Sequence, residues 1–129
     1  MSQENVELVQ AAFDAISRRD LQAVLALCHP EIEFRPLIAE AEDHTFKGHQ
    51  GVREWFADRM VPLNLRPTGE NIEGFRDRGV NRLHLTGTFD GVDVSQSMWM
   101  AWRVRDGLIS WWAAYRTEDE ALEAVGLRG

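Results

Sequence analysis

Residues 98–115 read Met-Trp-Met-Ala-Trp-Arg-Val-Arg-Asp-Gly-Leu-Ile-Ser-Trp-Trp-Ala-Ala-Tyr, and no other stretch restricts the architecture as strongly. Two β-forming runs flank Asp106-Gly107, a dipeptide suited to the two left-handed positions of a tight hairpin turn. Four of the chain's five tryptophans lie in these runs. Strand residues alternate between faces. Strict alternation away from the turn therefore puts Met98, Met100 and Trp102 on one face with Trp111, Ala113 and Tyr115. Trp99, Ala101 and Arg103 fall on the other face with Trp112, Ala114 and Arg116. Large apolar groups on both faces of one hairpin demand two coverings. The chain's own helices can supply one, and a second subunit or a ligand the other.

A chain of 129 residues and 14.8 kDa is expected to form one domain over residues 1–129, with room for a core. The composition, 44% hydrophobic and 27% charged, is ordinary for a globular protein. No apolar run is long enough to span a membrane, and the acidic start lacks an apolar signal core, so a cytoplasmic location is expected. The net charge of −7 and scattered arginines disfavour nucleic acid and anionic membranes as partners. The single cysteine, Cys28, excludes an internal disulfide framework. It sits among apolar residues with no base beside it and reads as a buried, inert thiol.

Along the chain, Val6, Val9, Phe13 and Ile16 mark an amphipathic helix over residues 3–18, capped by Ser2. Asp20 caps a short second helix carrying Leu21, Val24, Leu25 and Cys28, stopped at His29-Pro30. A strand runs from Glu31 to Leu37, and 39–47 form a polar loop. A third helix, about residues 50–60, turns Val52, Trp55, Phe56 and Met60 inward. The rest is mostly β: one strand within 63–75, then 80–89, 92–105 and 108–116, joined at Asp90-Gly91 and Asp106-Gly107. A closing helix starts at a capping box, Thr117-Glu118-Asp119-Glu120, and ends at Gly126-Leu127. The order ααβαββββα implies an α+β fold, with three or so of about four helices on the concave face of a curved antiparallel sheet.

Several segments in this order resemble the SnoaL-like proteins of the NTF2-like superfamily. They are Val9-Gln10-Ala11-Ala12-Phe13, Arg19-Asp20-Leu21, 25–34 (Leu-Ala-Leu-Cys-His-Pro-Glu-Ile-Glu-Phe), 46–56 (Phe-Lys-Gly-His-Gln-Gly-Val-Arg-Glu-Trp-Phe), 104–109 (Val-Arg-Asp-Gly-Leu-Ile) and 120–127. The resemblance covers nearly the whole chain and implies a cone-shaped fold shared by isomerases, cyclases, hydrolases, dehydratases and binding proteins. It also implies which positions would carry ketosteroid isomerase chemistry, which needs a carboxylate base and oxyanion donors that include a neutral carboxylic acid. The base falls at Arg35, the oxyanion tyrosine at Ala12, a supporting tyrosine at Phe56 and the neutral acid at Met100. A guanidinium stays protonated, so Arg35 is no base. Steroid isomerisation by that route is not expected.

The same resemblance implies a pocket lined by Ala12, Arg35, Phe56, Met60, Leu83, Leu85, Gly87, Met98, Met100, Trp102, Trp111, Ala113 and Tyr115, largely apolar as small-molecule sites are. Alternation offers a second phase at one strand: with Ile32, Phe34 and Pro36 inward, Glu33 and Arg35 face solvent instead. Weak catalytic candidates are Arg35, Tyr115, His44 and His49. Tyr115 offers a phenol donor or is a core tyrosine, and the two histidines are loop bases or plain surface residues. His84 shares the polar phase of Arg82 and Thr86. The histidines lack metal-ligand spacing, so neither metal nor cofactor is expected. The reading is a cofactor-independent SnoaL-like protein whose hydrophobic pocket binds, and in one version transforms, a small apolar or cyclic organic molecule. The alternatives are a cyclase-, isomerase- or hydratase-type enzyme of secondary metabolism and a non-catalytic dimerising module. A homodimer is expected through Trp99, Trp112, Arg103 and Arg116.

Overall fold

The computed structural model describes residues 2–36 and 45–127. Its elements run α1 (Ser2–Ser17), α2 (Leu21–Leu27), β1 (Cys28–Arg35), β2 (Phe46–Lys47), α3 (Gly48–Trp55), β3 (Arg66–Phe75), β4 (Arg78–Phe89), β5 (Val92–Arg105), β6 (Leu108–Tyr115) and α4 (Glu118–Ala124). A π-helical turn, Phe56–Met60, continues α3. The four helices pack on a curved, open six-stranded sheet of order β2-β1-β6-β5-β4-β3, the expected α+β class. Its neighbours pair antiparallel except β1 and β6, which run parallel, so the sheet is mixed.

The inner face carries the main core. From α1 come Val9, Ala12, Phe13 and Ile16; from α2, Val24 and Leu25; from α3 and its π turn, Val52, Trp55, Phe56 and Met60. The widened turn is held by Val61 N–H to Phe56 O (3.0 Å) and Leu65 N–H to Met60 O (2.8 Å). The fourth helix lies on the opposite, outer face. There Ala121 and Val125 meet Val80 and Ala101, with Trp99, Trp111 and Tyr115 packed around them. Thr117 caps it as expected, accepting from Glu120 N–H at 3.2 Å. Arg78 and Arg103 donate to the Val125 and Ala124 carbonyls at its C-terminal end (2.9 and 3.1 Å), where cations suit the helix dipole.

Both Asp-Gly turns adopt left-handed pairs: φ is 50° and 78° at Asp90 and Gly91, and 55° and 75° at Asp106 and Gly107. The second turn does not, however, propagate strict alternation. Arg105 pairs with Leu108 and Val104 with Ile109, but Arg103 pairs with Trp111. Ser110 is the extra residue of a bulge, and its hydroxyl donates to the Arg103 carbonyl at 3.2 Å. One inserted residue exchanges the faces of everything beyond it. Trp102 therefore lies opposite Trp112, and Trp99 opposite Tyr115.

Three further expectations change. Cys28 is a strand residue opposite Ile109, because α2 already ends at Leu27. A two-residue strand, Phe46–Lys47, pairs with β1 at the end of the expected polar loop. The Ser2 side chain, the end of the strand at Leu37 and residues 39–44 of that loop, His44 among them, lie outside the described residues.

Candidate functional site

Between the helices and the inner sheet face lies a cavity of about 50 Å³. Phe13 and Ile16 of α1 and Trp55 of α3 form its helical wall. Leu83 and Leu85 of β4, Met98 and Met100 of β5, and Trp112 and Ala114 of β6 form its floor. Phe34, Pro36, Leu65 and Pro67 complete it. The aromatic rings interlock edge to face: Phe13 meets Trp112 at 5.1 Å between centroids, and Phe34 meets Trp55 at 5.0 Å. Phe34 also leans on Trp112 at 6.0 Å. Such contacts hold a wall in one shape, each contributing about 0.5–1.5 kcal/mol beyond its buried area. Met98 and Met100 are the adaptable part, since thioether chains repack at low cost.

None of these lining side chains titrates. Acid–base catalysis needs a proton carrier within hydrogen-bond reach of the reacting atom. The expected catalytic candidates do not converge here. Arg35 is exposed on the outer face, opposite Ala113, because Ile32 and Phe34 take the inner phase of β1. Tyr115 lies on that same outer face; burial pushes its phenol up and the Arg35 guanidinium pulls it back. His49 donates from Nε2 to the Cys28 carbonyl at 2.9 Å and ties α3 to β1. His84 bonds Ser97 and Ser95 at 3.2 and 3.1 Å on the outer face.

The expected pocket set divides. Leu83, Leu85, Met98 and Met100 border the cavity. Ala12, Phe56, Met60 and Trp102 are buried in the same core without bordering it. Trp111, Ala113 and Tyr115 stand on the other face, displaced by the Ser110 bulge, as Arg35 is by the phase of β1. Gly87 faces Leu65, into whose side chain a Cβ would press at 2.9 Å. The bulge also removes Trp112 from the expected dimer surface: it is 4% exposed and belongs to the core. Of that surface's other members, Trp99 is partly covered by α4 and Arg103 lies over the Trp111 ring, while Arg116 is exposed. Sequence reasoning missed Trp112, Ala114, Phe13 and Trp55 as cavity residues. The apolar character of all four is plain, but their convergence depends on the bulge and on helix placement.

Three buried polar atoms lack a hydrogen-bond partner among the described residues: Asn81 Oδ1, Trp102 Nε1 and Trp112 Nε1. Each such orphan costs about 1–3 kcal/mol. No group of three or more His, Cys, Asp or Glu side chains among the described residues could hold a metal ion. No helix is long and apolar enough to cross a membrane.

A family model described as the SnoaL-like domain matches residues 9–112. Among solved structures, the fold superposes on TerC co-crystallised with polyporic acid at a TM-score of 0.77, with 21% identity over 95% of this chain and 98% of that one. RV0760c from Mycobacterium tuberculosis, in complex with estradiol-17β-hemisuccinate, gives 0.78 and 21% over 92% and 97%. The Δ5-3-ketosteroid isomerase from Mycobacterium sp. gives 0.76 and 22% over 92% and 96%. At these identities the likeness shows a shared fold. None of the curated proteins searched matches the chain significantly.

Proposed function

The chain belongs to the SnoaL-like domain family, and on that premise we propose that its cone cavity binds a small, apolar, cyclic organic molecule. One observation carries the reading: the cavity is walled by aromatic and aliphatic side chains alone, with two methionines on its floor. Apolar lining of this kind is what small-molecule sites share. Volume sets a condition. At about 50 Å³ the cavity is roughly a third of the ~150 Å³ that holds benzene in an engineered apolar cavity. A ring enters only as Met98 and Met100 swing aside, and the flexible thioethers permit that. The titration-free lining favours binding over cyclase-, isomerase- or hydratase-type catalysis. That TerC and RV0760c were crystallised with ring compounds supports the choice of ligand class.

The reading includes a homodimer through the outer face, where Trp99 and Tyr115 remain partly exposed beside α4. It also includes a cytoplasmic location, in keeping with a lone buried thiol. Thermal denaturation against a library of neutral mono- and bicyclic compounds tests the binding. A ligand selective for the folded state at a hundred times its Kd stabilises by about 2.7 kcal/mol. Members of the library should raise Tm, and Ala114→Leu, which fills the cavity, should remove the rise. A library in which no compound shifts the unmodified protein would refute the reading.

A further inference from the structure

Trp112 stands between two voids. One is the cavity already described. The other, about 20 Å³, lies behind it among Val24, Cys28, Ile32 and Val52. Ile16, Phe34 and Trp55 border both, so the indole has apolar walls on either side. It is 4% exposed, and its Nε1–H has no acceptor among the described residues. The other two orphaned atoms, on Asn81 and Trp102, belong to residues that border neither void. A buried donor facing only hydrocarbon is costly to keep. A phenylalanine would fill much of the same space at no such cost.

We propose that the Trp112 indole N–H is the recognition donor of the cavity, and that the ligand is a neutral ring compound whose carbonyl oxygen accepts from it. The inference rests on the binding reading above and names the ligand's polar group. An acceptor is required because the polar side-chain atom at the cavity wall is an N–H, which cannot accept. A hydroxyl or amine proton on the ligand would find no acceptor among the lining side chains. Neutrality follows from the same lining, since a charge moved there would be neither paired nor solvated. The apolar body of the ligand supplies affinity, and the single N–H sets its orientation.

The matched pair 1-indanone and indane tests this, with affinities measured by titration and the indole resonances followed by ¹H–¹⁵N NMR. The Trp112 indole peak is identified by its loss in Trp112→Phe. Saturating indanone should move that peak downfield, whereas indane should not. The ketone-to-hydrocarbon affinity ratio should fall about fivefold in Trp112→Phe, the loss of one neutral hydrogen bond. Retained indane binding shows that the variant still folds around its cavity. If indanone binds but leaves the indole peak in place, or if the ratio is unchanged in the variant, the donor assignment is overturned and the binding reading survives. If neither probe binds the unmodified protein, both fall. The peak shift is read in the unmodified protein, so the test stands even where the variant does not fold.

Discussion

Two side chains show how burial and charge decide chemistry residue by residue. Cys28 is 2% exposed, and burial pushes its thiol up to about 12. In the unfolded chain it ionises near its ordinary value of 9.0. Between those values the unfolded state has lost a proton that the folded state keeps, so stability falls as pH rises. The slope approaches about 1.4 kcal/mol per pH unit. Urea denaturation from pH 9 to 10.5 should therefore show a steeper loss for the unmodified protein than for Cys28→Ala; parallel slopes would contradict it. The second case is an activity the fold could suggest. Met100 borders the cavity, Ala12 and Phe56 are buried without polar groups, and Arg35 points outward. No residue at the positions aligned with ketosteroid isomerase can take or donate the required proton. A Δ5-3-ketosteroid assay should show no isomerisation above background; a rate that Met100→Ala abolishes would overturn this.

Single residues govern how the elements meet. A Cβ on Gly79 would overlap both the Glu73 carbonyl oxygen and the Trp102 ring. The Glu73 contact is backbone and cannot rotate away. Gly79→Ala should cost about 1–3 kcal/mol in chemical denaturation, the range for overpacked cores. A neutral result would mean that β3 and β4 can separate there. The Ser110 bulge has a larger effect. Deleting Ser110 restores strict alternation, moving Tyr115 and Trp111 inward and Trp112 outward. The variant should lose cooperative unfolding, because no inner position was shaped for those side chains. Far-UV and near-UV circular dichroism would reveal it, and a native-like near-UV spectrum would refute it. Most elements were readable from local signals: the capping box of α4, the Asp-Gly turns, and the apolar stripe of α1. The parallel pairing of β1 with β6 was not, since no local pattern distinguishes it from an antiparallel neighbour.

For the whole molecule, the question is how two faces of one sheet are covered. The inner face is covered by three helices, and α4 covers part of the outer one. Trp99→Glu should shift sedimentation from a dimer toward the 14.8 kDa monomer with little change in Tm, since a charge would enter a dry contact. An unmodified protein that sediments only as monomer at micromolar concentration would sink the dimer. Trp112→Glu should instead lower Tm sharply, because that residue lies inside each subunit. Composition, periodicity and turn chemistry by themselves determined the α+β class, the element order, the apolar character of the site and the absence of an isomerase constellation. These are properties of residue type and short-range spacing, so one chain suffices to read them. Which tryptophan faces the cavity was decided only in the tertiary structure. A single unpaired serine reverses the phase of a strand, and what stabilises that bulge is packing between Trp102, Trp112 and helices far away in sequence.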